Sequence, residues 1–300
     1  IKTFSVKRID SNPKLKSLMN CEVTIMKQIN HPNIIHLFEF LKSADNYYLV
    51  LQYCDQGDLE NYMSERNITK FPEDKAIVLF QQILNGFSEL RKNKILHRDF
   101  KLANIFVNDD TLIIGDFGLA KIGSEVAHTK LGTPLTMAPE LFFNEDNITY
   151  SSKADIWSIG VVFYQMVFGN PPFYGTSMPE LRRDLKMKIQ NGIPFPSHAS
   201  ENCSNLLKSM LEANPEKRIE WSEILSHPIF KSKPVKNNDD YFNNNNYMST
   251  IVDINLKTKQ EIDDIFSKNI NDPNNLNKIE FLDEKDYINN LIKDSAMKIN

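Results

Sequence analysis

The sequence lacks most of the features that announce specialised protein classes. Its 300 residues hold three cysteines, Cys21, Cys54 and Cys203, too few and too scattered for a disulfide framework, and no C-x-x-C pair offers thiolates to a metal. A reducing, cytoplasmic setting is the expectation. Lys and Arg number 35 against 39 Asp and Glu, a net charge of −4. With no basic excess to neutralise a phosphate backbone, nucleic-acid binding is not expected. No basic n-region and apolar h-region open the chain, and no run approaches about 18 uninterrupted apolar residues. The most apolar stretch, Ile156 to Phe168, is broken by Ser158, Gly160 and Gln165, which suits a buried helix and not a membrane span. Ten Gly and fourteen Pro exclude collagen-like and Gly/Ser-linker compositions. An initiating Met is also missing. The chain starts at Ile1, so the expectation is processing or a longer gene.

What is there is 41% apolar residues and 10% aromatics, enough to build a packed core. Composition shifts once, near residue 231. Beyond it Asn rises to roughly one residue in five, with the run Asn243 to Asn246, a pattern typical of disorder. Two tail stretches keep helical spacing, Ile262/Ile265/Phe266/Ile270 and Ile288/Leu291/Ile292. The expectation is a domain over 1–230 and a largely disordered, Asn-rich tail over 231–300, a candidate docking segment for a regulatory protein.

Within the domain, Thr3 to Ile9 reads as a strand and Leu15 to Gln28 as an amphipathic helix that stops before His31-Pro32. Strands are predicted over Ile34 to Phe40 and Tyr47 to Tyr53, separated by Ser43-Ala44-Asp45-Asn46. Helices then dominate: Leu59 to Glu65, Asp74 to Lys92, and stretches near 153–168, 177–191, 203–212 and 221–225, with hairpins between 95 and 118. Strands first and helices later describe an α+β chain.

The stretch His97-Arg98-Asp99-Phe100-Lys101-Leu102-Ala103-Asn104 gathers an acid, a Lys and an amide within six residues, and Asp116-Phe117-Gly118 follows twelve residues later. Two carboxylates and an Asn suit a hard divalent cation, and Lys suits phosphate charge. The combination points to phosphoryl transfer, in which positioning and charge neutralisation matter more than covalent chemistry.

At this density the chain resembles a eukaryotic protein kinase. His97-Arg98-Asp99 with Asn104 resembles the catalytic loop, Asp116-Phe117-Gly118 the metal-binding triplet, and Ala138-Pro139-Glu140 the end of the activation segment. The resemblance implies a bilobal fold over 1–230, with a small β-rich N-lobe (1–53), a hinge (52–58) and a large helical C-lobe (59–230). It further implies that Asp99 orients the acceptor hydroxyl, that Lys101 sits beside the transferred phosphoryl group, and that Asn104 and Asp116 hold Mg²⁺. Lys101 is the serine/threonine form. Phe4-Ser5-Val6-Lys7 resembles the strand whose Lys contacts the ATP phosphates, and Glu22 the helix acid that pairs with it. Either could equally be a solvated charge. Leu49 to Cys54 resembles the hinge, with Leu51 as gatekeeper, Gln52 and Cys54 bonding the adenine edge, and Phe106 among the nucleotide-binding residues. Asp58 stands where an acid often lies near the ribose, and reads as well as a helix N-cap.

Asp155-Ile156-Trp157-Ser158-Ile159-Gly160 resembles the start of the central buried helix, and Glu140 with Arg218 the ion pair anchoring the activation segment. Met26, Leu37, His97 and Phe117 match a stack of side chains linking the lobes, which makes His97 a core residue. Between Asp116 and Glu140 lie Ser124, Thr129 and Thr133. Thr129 is the favoured phosphorylation site, with Arg98 as the receiving cation; Thr133 is expected to contact Asp99 and Lys101. The motifs around Gly132 to Glu140 and Arg218 to Pro228 resemble the autophagy-initiating serine/threonine kinases, with parts shared by calcium/calmodulin-type and polo-type kinases. Ala103 and Leu119 imply no strong demand for upstream Arg and a preference for Ser acceptors.

No G-x-G-x-x-G precedes Lys7. The expectation is that the first strands and the phosphate-covering loop lie upstream of Ile1. If they are truly missing, the alternative is a kinase-like scaffold acting by protein binding.

Overall fold

The computed structural model describes residues 1–122, 132–143 and 150–231, with the backbone of 280–281. In chain order its elements are β1 (Lys2–Ser5), α1 (Val6–Asp10), α2 (Pro13–Gln28), β2 (Leu37–Lys42), β3 (Asn46–Leu51), α3 (Leu59–Glu65), α4 (Glu73–Lys92), β4 (Ile95–Leu96), β5 (Ile105–Asn108), β6 (Thr111–Ile114) and β7 (Lys121–Ile122). These are followed by α5 (Pro139–Phe142), α6 (Ser152–Phe168), α7 (Met178–Asn191), α8 (Glu201–Met210), α9 (Trp221–Leu225) and β8 (Glu280–Phe281). The α+β assignment is what the chain adopts. The tail stretches with helical spacing, 262–270 and 288–292, lie outside the described residues.

The chain forms two compact units, one holding 1–11, 39–50 and β8, the other 12–38 and 51–232. In the smaller unit β1 pairs antiparallel with β3, from Lys2 opposite Leu49 to Ser5 opposite Asn46, and β8 pairs with the end of β2. Phe40 and Tyr47 stack at 5.8 Å, and the Tyr47 hydroxyl donates to Asp10 at 3.1 Å.

The strand expected over Thr3 to Ile9 is corrected here: β1 stops at Ser5 and residues 6–10 turn into α1. Pairing with β3 runs out at Asn46, and the Val6 N–H takes the Asp45 carbonyl at 2.8 Å. Beyond that point a strand would have no neighbour, so a helical turn satisfies the backbone and buries Ile9. Lys7 therefore sits exposed on a helix and not on a strand.

The larger unit is mostly helical. Helix α2 begins where Asn12 accepts from the N–H groups of Lys14 and Leu15, with Pro13 in the first turn. It groups with this unit, and the Cys21 thiol donates to the Ala120 carbonyl. The strand expected from Ile34 starts instead at Leu37, because the Ile35 N–H is taken by Ile114 of β6 at 2.8 Å. Helix α4 carries Glu73 and Asp74 in its first turn and Arg91 and Lys92 in its last, complementing its dipole. Helix α6 is the axis of the core: Ile156, Trp157, Ile159, Val161, Val162 and Phe163 are fully buried, and Phe163 stacks on Phe80 of α4 at 4.0 Å. No helix among the described residues is long and apolar enough to cross a membrane.

Candidate active site

Two short antiparallel pairings bring the polar residues together. β4 pairs with β7 and β5 with β6, so the loop 97–104 lies against the segment 115–120. Helix α6 fixes that loop from below. The Asp155 carboxylate, fully buried, accepts from the N–H of His97 at 3.0 Å and of Arg98 at 3.1 Å. Burial pushes its pKa up, opposed by the neighbouring His97 and Arg98 and the N–H groups they donate. Its grip matters because Arg98 is left-handed, at φ 67°, a conformation that costs an ordinary residue about 1–2 kcal/mol. Asp116 is left-handed too, at φ 55°, and its side chain is exposed. Asn67, Lys94 and Asp109 share this backbone region, and such strained residues tend to cluster at functional sites.

The Asp99 carboxylate is held from two sides. Its Oδ1 accepts from the Thr133 N–H and from the Thr133 hydroxyl, both at 2.7 Å. Its Oδ2 lies 3.3 Å from Lys101 Nζ and 3.3 Å from Asn104 Nδ2. Lys101 Nζ donates in turn to Thr133 Oγ1 at 3.0 Å. The Thr133 hydroxyl thus accepts from an ammonium and donates to a carboxylate. Asn104, buried, spends its amide N–H on the Asp99 carbonyl at 2.7 Å, which leaves its Oδ1 as an oxygen ligand. Asn104 Oδ1 and the Asp116 carboxylate are hard donors of the type Mg²⁺ takes, completed by water and phosphate oxygens. No cluster of three or more His, Cys, Asp or Glu able to hold a metal occurs among the described residues.

His97 is fully buried. Its Nε2 lies 3.1 Å from the Gly115 carbonyl, which must accept, so Nδ1 is left to face the Asp99 N–H. Its ring is 5.4 Å from that of Phe117. Met26, Leu37 and Phe117 are all buried with it. Glu22 is 3% exposed, and a Cβ on Gly118 would come within 3.7 Å of its Oε2. Lys7 belongs to the other unit.

Along the hinge the Gln52 N–H donates to the His36 carbonyl at 2.8 Å, while the Gln52 carbonyl and the Cys54 N–H have no backbone partner among the described residues. Leu51 is half-buried. Phe106 lies below, bridging to Asp58 and in contact with Gly115, where a Cβ would fall 2.6 Å from its ring. Burial pushes the Cys54 thiol up to about 12. Asp58 caps α3: its Oδ1 accepts from the Asn61 N–H at 2.9 Å and its Oδ2 from the Asn61 amide.

The Glu140–Arg218 pair is bidentate, at 2.8 Å for both contacts. Arg218, buried, also donates to the carbonyls of Lys153 and Glu212 and lies over Trp157. Arg98 donates to the Leu119 carbonyl at 2.6 Å, above the Tyr150 ring. Burial lowers its pKa. Tyr150 and Gly132 were not foreseen as site residues. Gly132 has φ 115°, and a Cβ there would sit 2.6 Å from the Arg98 carbonyl, so the glycine before Thr133 is a steric requirement. Ser124 and Thr129 lie outside the described residues.

Residues 1–230 match the protein kinase domain family. Serine/threonine-protein kinase atg1 of Dictyostelium discoideum is 37% identical over 251 residues, 80% of this chain and 36% of that protein. Serine/threonine-protein kinase ULK3 of Homo sapiens is 34% identical over 212 residues, 69% of this chain and 44% of that protein. Serine/threonine-protein kinase PLK4 of Drosophila willistoni is 30% identical over 241 residues, 79% of this chain and 30% of that protein. The chain thus spans less than half the length of these relatives.

Proposed function

The chain belongs to the protein kinase family, and from that premise we propose that it transfers the γ-phosphoryl group of ATP to serine and threonine hydroxyls of proteins. The observation that carries this is the Thr133 hydroxyl, which sits between Lys101 Nζ and Asp99 Oδ1. A pair of groups that receives one aliphatic hydroxyl in that way can receive an acceptor's. Asp99 then orients the attacking oxygen and takes its proton, as a new O–P bond forms and the bond from the γ-phosphorus to the ADP oxygen breaks. Lys101 faces the charge that builds on the phosphoryl oxygens. Asn104 and Asp116 would hold Mg²⁺, which neutralises phosphate charge when bound. Cys54 N–H and the Gln52 carbonyl, two residues apart and without a backbone partner among the described residues, form a donor–acceptor pair suited to an adenine edge, with Leu51 and Phe106 lining it. Lys7 is assigned to the ATP phosphates, Glu22 to orienting Lys7, and Asp58 to the ribose edge in addition to its cap.

Within the family, the similarity to atg1 and ULK3 supports an autophagy-related role. Loop phosphorylation at Thr129, received by Arg98, a cytoplasmic site of action and a tail over 231–300 that binds a regulatory protein complete the reading. The scaffold alternative fits less well, because Lys7, Asp99, Asn104 and Asp116 are all kept.

The test is phosphate incorporation into dephosphorylated casein with Mg²⁺ and ATP, comparing the chain with Asp116→Asn. We expect a loss of at least 10²-fold, the size of removing one preorganised electrostatic group. Equal incorporation in the two proteins would overturn the assignment.

A further inference from the structure

We infer that Ser158 is a positioning residue for the acceptor: from α6 its hydroxyl closes a ring of hydrogen bonds that fixes both the Asp99 carboxylate and the turn across which an acceptor chain would run. The inference rests on the protein kinase reading above.

Ser158 and Asp155 are three residues apart on α6 and so share a face. Asp155 takes the N–H groups of His97 and Arg98, which sets the backbone leading into Asp99. Asp99 Oδ1 takes the N–H and hydroxyl of Thr133. The Thr133 carbonyl takes the N–H of Thr136 at 3.1 Å and its hydroxyl at 3.3 Å. The Thr136 carbonyl takes the Ser158 hydroxyl at 2.8 Å, which returns the path to α6. The path begins at Asp155 and ends at Ser158, both on α6, and its middle links lie outside the helix.

A serine within a helix ordinarily donates to the carbonyl one turn back. Ala154 O is available at 3.2 Å, yet the shorter contact is to Thr136, and a hydroxyl has one proton to give. The hydroxyl lies within reach of both carbonyls and nearer to the one on the remote segment. That carbonyl needs a donor, since Thr136 is buried and a buried carbonyl left without a hydrogen bond is costly. The turn Pro134–Thr136 has little rigidity of its own, being a single 3₁₀ turn whose second bond, Met137 N–H to Pro134 O, is 3.3 Å long. Leu135 at its tip is 37% exposed. An acceptor hydroxyl placed at Asp99 and Lys101 puts the flanking acceptor residues beside Thr133, so the adjoining turn 134–136 is the surface they meet. Movement of that turn would shift acceptor placement and release the Thr133 contacts with Asp99.

The experiment compares the full chain with Ser158→Ala and Ser158→Thr, reading the KM for dephosphorylated casein and for ATP together with the melting midpoint. For Ser158→Ala the expected result is about a fivefold rise in acceptor KM, matching one net hydrogen bond, with ATP KM unchanged and Ser158→Thr close to the parent protein. An unchanged acceptor KM would overturn the inference. So would equal loss in both KM values and in melting midpoint with no rescue by Thr, since that marks a helix defect. Amide hydrogen exchange gives a readout free of catalysis: residues 132–137 should exchange faster in Ser158→Ala, and unchanged protection there overturns the ring. If the parent chain transfers no phosphate while this exchange difference is present, the kinase reading fails and the ring stands.

Discussion

Asp99 in the larger unit and Lys7 in the smaller one are matched by equally short stretches of sequence, yet their surroundings differ sharply. Asp99 is held by Thr133, Lys101 and Asn104, and its loop is tied to α6 through Asp155. Those partners come from the loop itself and from two segments distant in sequence, so the geometry is over-determined. Lys7 stands exposed on a five-residue helix just past the end of a strand pair. A motif marks which residue type is needed at a position; only its neighbours decide whether the residue is held where the chemistry needs it.

Three substitutions would break or sharpen that contrast. The largest effect on stability is expected from Arg218→Ala, which strands the Glu140 carboxylate and three carbonyls around a fully buried site. A loss of about 3–5 kcal/mol is expected from removing one partner of a buried pair, read as a fall in the denaturant midpoint. A loss below about 1 kcal/mol would show that the larger unit is less tightly determined than its bonds imply. Next is Gly132→Ala, where a left-handed φ and a 2.6 Å approach to the Arg98 carbonyl act together. Roughly 1–3 kcal/mol of strain is expected, and transfer to casein should fall further than stability does, because Thr133 is the next residue. Unchanged melting and activity would mean that the turn adapts freely. Smallest is Lys7→Ala, with stability inside about 0.5 kcal/mol of the parent chain, as for an exposed surface site. A loss above 1 kcal/mol in chemical denaturation would reveal a partner for Lys7 and erase the contrast between the two regions.

Legibility in the sequence followed the same division. Helices α3, α4 and α6 were readable to within a residue or so, since apolar periodicity and end signals are local properties. The polar loop 97–104 and Asp116 were readable because hard ligands and Lys cluster within a few residues. Strand limits in the smaller unit were not. Whether residues 6–10 extend or coil depends on whether a neighbouring strand is there to take their N–H groups, and that neighbour is set forty residues away at Asn46. Asp58 illustrates a residue whose two readings were both open; its bonds to Asn61 establish the cap.

Ser158, Tyr150 and Gly132 carry the same lesson further. A serine in an apolar helix, a tyrosine before a helix and a glycine before a threonine have ordinary local explanations, and each matters here through an atom of a remote segment: the Thr136 carbonyl, the Arg98 guanidinium and the Arg98 carbonyl.

By itself the sequence pointed to the class of chemistry and set the order of the helices, the lack of a basic excess and the lack of a long uninterrupted apolar run, because composition and spacing are enough to state those. Only the tertiary structure decided that Asp155 and Ser158 of one buried helix reach the loop 97–104 and the neighbouring turn at once, and that Lys7 leaves its strand. Hydrogen bonds and steric limits act over a few ångströms in space, so residues far apart in the chain can satisfy one another only after it has folded.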